Sequence, residues 1–170
     1  AHANGPRDAA TAHGKAAAPS PVARITALRD TLARHPDDSA AWSELGNLLY
    51  RVGDFGHAVV ALQRASALAP RRALTWLMLG RSQLAFGAVD DARIAFECAL
   101  ALAPDDASIG LSLAAALLAL DRPDDAAARL RAVLAQHPGC GAAWWSLANI
   151  KTLRLSADEG RALEERSRAT

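Results

Sequence analysis

The sequence has few of the residues that mark disulfide-bonded or membrane-spanning proteins. It contains only 2 cysteines, Cys98 and Cys140, too few for a disulfide framework. We expect both thiols to be reduced, in a cytoplasmic compartment. The longest unbroken apolar run, Leu113–Leu120, is far shorter than the roughly 20 residues that span a membrane. No basic-then-apolar signal segment opens the chain, and we expect no membrane partner.

An excess of charge of one sign is also lacking. The chain has 19 Lys and Arg residues against 18 Asp and Glu residues, for a formal net charge of +1. The arginines are scattered and form no basic stripe, so we expect no nucleic-acid partner. Hydrophobic residues make up 51% of the chain, which is enough for a folded core. Much of that share is alanine and β-branched residues are sparse, so the composition predicts an all-α fold.

The sequence contains no pattern typical of a catalytic or cofactor-binding site. No glycine-rich loop follows a strand, so a phosphate-binding loop is not predicted. Neighbouring pairs of aspartates fall where helices begin, and there they favour capping over acid–base chemistry. His137 and Cys140 lie close together, but a metal site needs three or four ligands. We therefore predict a non-enzymatic chain with no catalytic residue, cofactor or metal.

The sequence does contain a repeat of 34 residues. Trp42 and Trp76 are one period apart (76 − 42), and Trp144 follows two periods later (144 − 76 = 68). Each period divides into two stretches with apolar residues at helical spacing, which predicts a helical hairpin. One hairpin cannot bury its apolar face alone, so neighbouring hairpins must stack. The repeated positions predicted to form the core are Trp42, Leu45, Gly46, Ala58, Leu62, Trp76, Leu79, Gly80, Ala92, Phe96, Leu113, Ala126, Leu130, Trp144 and Leu147.

The repeat pattern sets the predicted domain organisation. The full copies are residues 39–72, 73–106 and 107–140. Residues 22–36 predict the second helix of an earlier incomplete unit, and residues 142–152 predict the first helix of a fourth.

Both ends of the chain depart from the repeat. Residues 1–20 are expected to be a disordered leader or linker before an array that occupies 21–170. Ser156 and Glu159 have the spacing of a capping box, which predicts a final capping or connecting helix over about 156–168. The start at Ala1, without methionine, suggests a fragment or a processed product.

The motif W-x-x-L-G at Trp42–Gly46 and again at Trp76–Gly80 resembles the tetratricopeptide repeat family. The later alanines and prolines stay in register, and the resemblance covers about residues 22–152. It implies a right-handed superhelical solenoid of antiparallel helix hairpins, with three full units, half units at both ends and about nine helices. It also implies a protein or peptide ligand in a concave groove lined by the first helix of each unit.

The resemblance also implies which residues face that groove. In this family the position after the repeated tryptophan faces the groove, as do those four and seven or eight residues on. Carried over to each copy, the candidate groove residues are Ser43, Asn47, Tyr50, Arg51, Leu77, Arg81, Leu84, Leu111, Ala115, Leu118, Trp145, Asn149 and Thr152. Trp145 is either a ligand-facing residue or one covered by the last helix or by a neighbouring domain.

Chaperone-binding members of the family clamp a C-terminal carboxylate with lysine, arginine and asparagine from three copies. This chain offers Asn47 and Arg81, but its third copy has Leu111 and Ala115 at the corresponding positions. The clamp is incomplete, so recognition of that kind is not expected.

Three positions depart from the repeat inside the array, and one of them is Lys151, at a usually apolar inward position of the last unit. Gly110 stands where the third copy should have tryptophan, and the lost bulk predicts a notch there. Gln83 occupies an inward position that is usually apolar.

Two alternatives for the function remain open. Residues Trp144–Ser156, WWSLANIKTLRLS, resemble the junction in bacterial repeat-containing sulfotransferases, where the array precedes a catalytic domain that uses a sulfated nucleotide. That resemblance implies a non-catalytic arm with a downstream catalytic domain as its partner. The other alternative is self-association, because the Arg- and Glu-rich last helix could cap the stack or seal a homodimer.

Overall fold

The structure is a computed structural model that describes residues 20–150 and 157–168. These residues form nine helices and no β-strand. The helices are α1 Pro21–Arg34, α2 Ser39–Arg51, α3 Phe55–Leu68, α4 Ala73–Phe86, α5 Val89–Leu102, α6 Ala107–Ala119, α7 Pro123–Gln136, α8 Gly141–Ala148 and α9 Ala157–Arg168. No helix in the described ranges is long and apolar enough to cross a membrane. The predicted leader and Ser156 of the predicted capping box lie outside the described residues.

The helices pack as a chain of hairpins. Each helix from α1 to α7 packs against the next one, and α2 also contacts α4, as α4 contacts α6. The pairs α2–α3, α4–α5 and α6–α7 are the three predicted full units, with α1 before them and α8 after them. The first helices α2, α4, α6 and α8 therefore form one layer of a solenoid, which we call the first-helix layer.

Short polar side chains cap several of the helix starts. Ser20, Asp38, Asp54 and Asp106 each accept a hydrogen bond from a backbone N–H in the first turn of α1, α2, α3 and α6. No side chain caps α5 or α7, and each of these helices instead has two aspartates in its first turn. Those carboxylates complement the positive end of the helix dipole.

The hairpins close over small residues. A Cβ atom at Gly46 would lie 2.4 Å from Cγ of Leu62, and one at Gly80 would lie 2.6 Å from Cε1 of Phe96. Glycine therefore allows the two helices of a unit to pack with a large side chain between them. Among the repeated core positions, the three tryptophans are half-buried and all the others are buried.

The repeated tryptophans and prolines are joined by hydrogen bonds. The indole N–H of Trp42 donates to the carbonyl of Pro36 at 2.8 Å, and Trp76 donates to Pro70 at 2.8 Å. The same bond joins Trp144 to the proline that precedes it by six residues, at 3.0 Å. Each bond ties the first helix of a unit to the turn before it, which explains why both residue types keep the 34-residue spacing.

The expected notch at Gly110 is absent. Gly110 is buried, and a Cβ atom there would lie 2.4 Å from Cγ2 of Val133 on α7. Val133, itself only 5% exposed, therefore takes up space beside the helix. A side chain of α7, rather than a surface gap, therefore lies directly beside Gly110.

Helix α8 ends earlier than the sequence predicts. The prediction extended the helix to Thr152, but α8 ends at Ala148. The Asn149 side-chain amide donates to the carbonyl of Trp145 at 2.8 Å, and the N–H of Ile150 donates to Leu147 three residues back. A side chain that bonds a late carbonyl competes with helix continuation, and the three-residue bond tightens the last turn.

Candidate binding surface

The candidate surface lies on the first-helix layer. Its predicted residues lie on α2, α4, α6 and α8, the first helices of successive units, except for Asn149, which follows α8, and Thr152, which is outside the described residues. The hydroxyl oxygens of Ser43 on α2 and Thr75 on α4 lie 3.4 Å apart, so polar atoms of adjacent first helices meet there. We call the face that carries the predicted groove positions the inner surface.

The predicted groove residues differ widely in exposure. The exposed ones are Arg51, Ala115, Leu118, Trp145 and Asn149. The half-buried ones are Ser43, Asn47, Tyr50, Arg81, Leu84 and Leu111. Thr152 lies outside the described residues. The structure thus leaves side chains of all four first helices accessible, with the largest exposed apolar ones near the C-terminal end of the layer.

Leu77 is a correction to the predicted groove lining. Its side chain is 4% exposed and belongs to the core cluster around Phe96 and Leu113. The repeat position that is exposed in the last unit, where it holds Trp145, is therefore buried in the second unit, where it holds Leu77. A ligand on the inner surface would contact the neighbours of Leu77 instead of Leu77 itself.

The two adjacent tryptophans lie in opposite environments. Trp144 packs against the core, and its indole N–H is bonded to Pro138. Trp145 is 70% exposed, and no described residue accepts a hydrogen bond from its indole N–H. Consecutive residues on a helix point about 100° apart, so one faces inward and the other outward. Leaving the apolar surface of an indole in water costs free energy, and an exposed tryptophan is typical of binding surfaces.

A crevice of about 260 Å³ lies beside Trp145. It is lined by Leu118, Asp121, Pro123, Trp145, Ser146, Asn149 and Ile150. These residues come from the end of α6, the turn after it, the start of α7, and α8 with the residues just after it. The crevice therefore combines aliphatic walls, one exposed indole and one carboxylate in a small volume.

The backbone of Asp121 is unusual. Its φ is +56°, in the left-handed region that favours glycine. The same repeat position is Gly53 in the first unit and Gly87 in the second, with φ of +84° and +93°. The sequence prediction missed Asp121, although the 34-residue spacing (121 − 87 and 87 − 53) was the signal that marks it. An aspartate here adopts a conformation that glycine adopts at lower cost.

The inner surface is basic towards its N-terminal end. Arg51 and Arg81 form no ion pair with any described residue. Glu44 on α2 is neutralised by Arg24, whose guanidinium lies 2.5 Å away. Hydrogen bonding with Ser108 lowers the pKa of Asp106, and the charge of Arg81 lowers it further. Each arginine could pair with an acidic group of a ligand, although the Asp106 carboxylate offsets part of the Arg81 charge.

Two buried amide oxygens lack hydrogen-bond partners among the described residues. They are Oδ1 of Asn47 on the inner surface and Oε1 of Gln83 in the interior. An unsatisfied buried acceptor costs free energy, so each of these two oxygens lowers the stability of the fold. The amide of Asn47 belongs to the candidate surface, whereas Gln83 is 5% exposed and is part of the helix packing.

Two larger crevices between other helices differ in the charge of the side chains that line them. One of about 350 Å³ lies between α1, α2 and α3, and another of about 570 Å³ lies between α5, α6 and α7. Leu45 lines the first and Leu113 the second, two repeat periods apart (113 − 45 = 68). The charged residue at the same spacing differs in sign, because it is Arg29 in the first crevice and Glu97 in the second (97 − 29 = 68). We interpret both crevices as gaps that follow from helix spacing.

The cysteine and histidine side chains do not gather into a ligand set. Among residues 20–150 and 157–168 there is no group of three or more side chains that could hold a metal ion. Nε2 of His137 lies 2.7 Å from the backbone carbonyl oxygen of Asp105, which ties two inter-unit turns together.

Comparison with known proteins agrees with this architecture. Sequence profiles described as tetratricopeptide repeat match residues 83–150, 25–59 and 44–107. A crystal structure of MamA is similar with a TM-score of 0.79 at 22% identity, covering 88% of this chain and 90% of that one. The first TPR of Spaghetti (RPAP3) bound to HSP90 peptide SRMEEVD has a TM-score of 0.63 at 19% identity, covering 66% of this chain and 89% of that one. No curated protein sequence matches the chain.

At these identities the solved structures show the fold alone. The sequence profiles carry the family assignment, because together they cover residues 25–150. The predicted all-α solenoid of helical hairpins is confirmed, with a right-handed superhelical course. The chain belongs to the tetratricopeptide repeat family.

Proposed function

We propose that the chain is a non-catalytic interaction module that binds a peptide or partner segment along its inner surface. The observation that carries the proposal is the exposure of Trp145. Its side chain is 70% exposed, whereas the other three tryptophans are half-buried. Exposed tryptophan and arginine side chains are the commonest anchors of protein interfaces. Arg81 supplies the second anchor type, on the same face.

The polar groups of the surface support an extended segment as ligand. Asn47 has a buried oxygen that no described residue bonds, and the Asn149 side chain is exposed. Asn47 on α2 and Asn149 just after α8 lie at opposite ends of the first-helix layer, and amide side chains can accept from and donate to the backbone of an extended chain. The neighbouring structure of Spaghetti (RPAP3) is that of a repeat domain bound to a peptide, which supports the same class of ligand. Leu111 and Ala115 do not supply the polar groups of a carboxylate clamp, so we propose a different chemistry of recognition.

Matched tryptophan variants test this proposal. The intact chain is used to select peptides from a random library displayed on phage. Trp145→Ala should weaken binding of the selected peptides at least tenfold, yet change the free energy of unfolding by no more than about 0.5 kcal/mol. The control Trp144→Ala should destabilise the fold by about 3–5 kcal/mol.

Two results would contradict the proposal. One is a large loss of stability in Trp145→Ala, which would mean that this indole supports the fold. The other is unchanged binding of selected peptides by both Trp145→Ala and Arg81→Gln, which would place the binding surface elsewhere.

A second candidate function is the arm of a sulfotransferase. Its support is the sequence resemblance of Trp144–Ser156 to the junction of bacterial repeat-containing sulfotransferases. In that case the inner surface would present a substrate to a downstream catalytic domain. Sequencing the coding region past Thr170 tests the candidate: a strand and glycine-rich loop pattern supports it, and an immediate stop codon contradicts it.

A third candidate is self-association through α9. The helix is rich in charge, and Arg161, Glu164, Glu165 and Arg168 are exposed. Arg131 on α7 donates to both carboxylate oxygens of Glu159, at 2.5 and 3.2 Å, which supports α9 as an end cap. Light scattering distinguishes the two roles, because a dimer has twice the molar mass of the monomer, whereas a protein in which α9 only caps the stack stays monomeric.

A further inference from the structure

We propose that the crevice beside Trp145 is a subsite for a positively charged side chain, arginine or lysine, of the bound segment. This inference rests on the proposed function, because it names the chemistry of one contact on the inner surface. The juxtaposition that carries it is an exposed indole and a carboxylate, Trp145 and Asp121, lining the same crevice.

The indole supplies the first attraction. The face of a tryptophan ring attracts a cation more strongly than any other side-chain ring does. Trp145 is 70% exposed, so a ligand can reach its ring. The other three tryptophans have their indole N–H groups bonded to proline carbonyls and are half-buried, so they offer no comparable face.

The carboxylate supplies the second attraction. Asp121 is exposed and forms no ion pair with any described residue, although the next residue, Arg122, pairs with Asp125 at 2.7 Å. A guanidinium or ammonium group in the crevice would therefore meet an unneutralised charge. The side chains of Leu118, Pro123 and Ile150 would cover the aliphatic stem of an arginine or lysine.

The backbone of Asp121 gives an independent reason to assign the carboxylate a role. The first and second units place glycine at this left-handed position, and the third unit keeps the positive φ with aspartate. Aspartate tolerates this conformation but costs more than glycine there. A side chain that costs stability and makes no ion pair in the fold is explained if it contacts a ligand.

The charge at the other end of the surface fixes the location of the subsite. Arg51 and Arg81 are unpaired among the described residues and would repel a cationic side chain on α2 or α4. An acidic group of the same segment would fit there. The geometry thus favours one orientation of a bound segment, with its basic residue at Trp145 and its acidic residue near Arg81.

Nuclear magnetic resonance on the intact chain tests the subsite directly. The probe is N-acetyl-arginine methylamide, and its matched control is the citrulline analogue, which has the same shape and no charge. The indole N–H signal of Trp145 is assigned by its loss in Trp145→Phe. We expect this signal to shift saturably with the arginine probe and at least fivefold less with citrulline, and the shift should weaken in high salt.

Two variants of the same residue separate the ligand contact from a role in folding. Asp121→Asn keeps the size and tolerates the left-handed backbone, and it should weaken binding of the arginine probe at least threefold. Asp121→Gly should raise the melting temperature and abolish the preference for arginine over citrulline. The inference is overturned by equal shifts with both probes, by no shift with either, or by unchanged arginine binding in both variants.

The outcomes also distinguish this inference from the proposed function. If library peptides bind through Trp145 but the arginine probe shows no preference over citrulline, the subsite is wrong and the interaction module stands. If library peptides fail to bind at all, the proposed function fails, and a positive result with the arginine probe would then identify a cation site without a peptide groove.

Discussion

The buried amide of Gln83 gives a prediction about stability that can be worked out from the structure. Gln83 is 5% exposed, and its Oε1 has no hydrogen-bond partner among the described residues. The same repeat position holds Leu49 one unit earlier (83 − 49 = 34) and Leu117 one unit later (117 − 83 = 34), which are 3% and 6% exposed. Leucine is therefore the side chain that this packing environment accepts elsewhere in the array.

Replacing Gln83 with leucine should stabilise the protein. The substitution removes an unsatisfied buried acceptor, which costs about 1–3 kcal/mol. It keeps a side chain of similar length and adds apolar contact to the hairpins on either side. We expect Gln83→Leu to raise the free energy of unfolding by about 1–3 kcal/mol. For a protein of this size that corresponds to roughly 2–4 °C in Tm for each kcal/mol.

Urea and thermal unfolding followed by circular dichroism measure the effect. The matched control is Gln63→Leu, because Gln63 is exposed on α3 and its substitution should change stability by no more than about 0.5 kcal/mol. Equal stability of Gln83→Leu and wild type, or a loss of stability, would show that the buried amide of Gln83 does not destabilise the fold. Either result would mean that Oε1 has a favourable partner, such as a bound water molecule, that leucine displaces.

Three further substitutions test the packing and capping of the array. Trp76→Phe removes the hydrogen bond to Pro70, so it should lower the free energy of unfolding in urea titrations by about 0.5–1.5 kcal/mol. No change would mean that this bond contributes nothing to stability. Gly80→Ala should lower the free energy of unfolding by roughly 1 kcal/mol. Overpacking against Phe96 costs about 1–3 kcal/mol, and the higher helix propensity of alanine offsets about 1 kcal/mol of that cost. A more stable variant would show that the Phe96 ring moves aside freely. Asp106→Ala should cost about 1 kcal/mol at neutral pH. The folded-state pKa of Asp106 is lowered from 3.8, so its stabilisation is present above that pH and lost as the pH falls through the folded pKa. The difference from wild type in urea titrations should therefore shrink below about pH 4, and a pH-independent difference would contradict the assignment.

The fold could be predicted from the sequence because each unit repeats the same physical solution. Trp42 and Trp76 fix the period, and Gly46 and Gly80 identify where two helices approach closely. Such positions depend on contacts within one hairpin and its neighbour, so the spacing along the chain is enough to find them. Most helix bounds follow from the same local signals of capping and turns, but the end of α8 does not.

The details of the inner surface were less predictable, because they depend on how neighbouring units pack. Leu77 shares its repeat position with Trp145, yet it is 4% exposed while Trp145 is 70% exposed. The early end of α8 follows from a side-chain bond of Asn149 that no periodicity reports. Val133 on α7 lies against Gly110 on α6, a contact between two helices that a position-by-position comparison of copies does not reveal.

Mapping a selected peptide onto the protein shows directly whether peptides bind along the inner surface. The measurement is the change in backbone amide resonances of the intact chain when a library-selected peptide is added. We expect the largest changes on α4, α6 and α8 around Arg81, Leu118 and Trp145, and their loss in Trp145→Ala. Changes confined to α3, α5 and α7, and unaffected by Trp145→Ala, would contradict it and place the binding surface on the second helices.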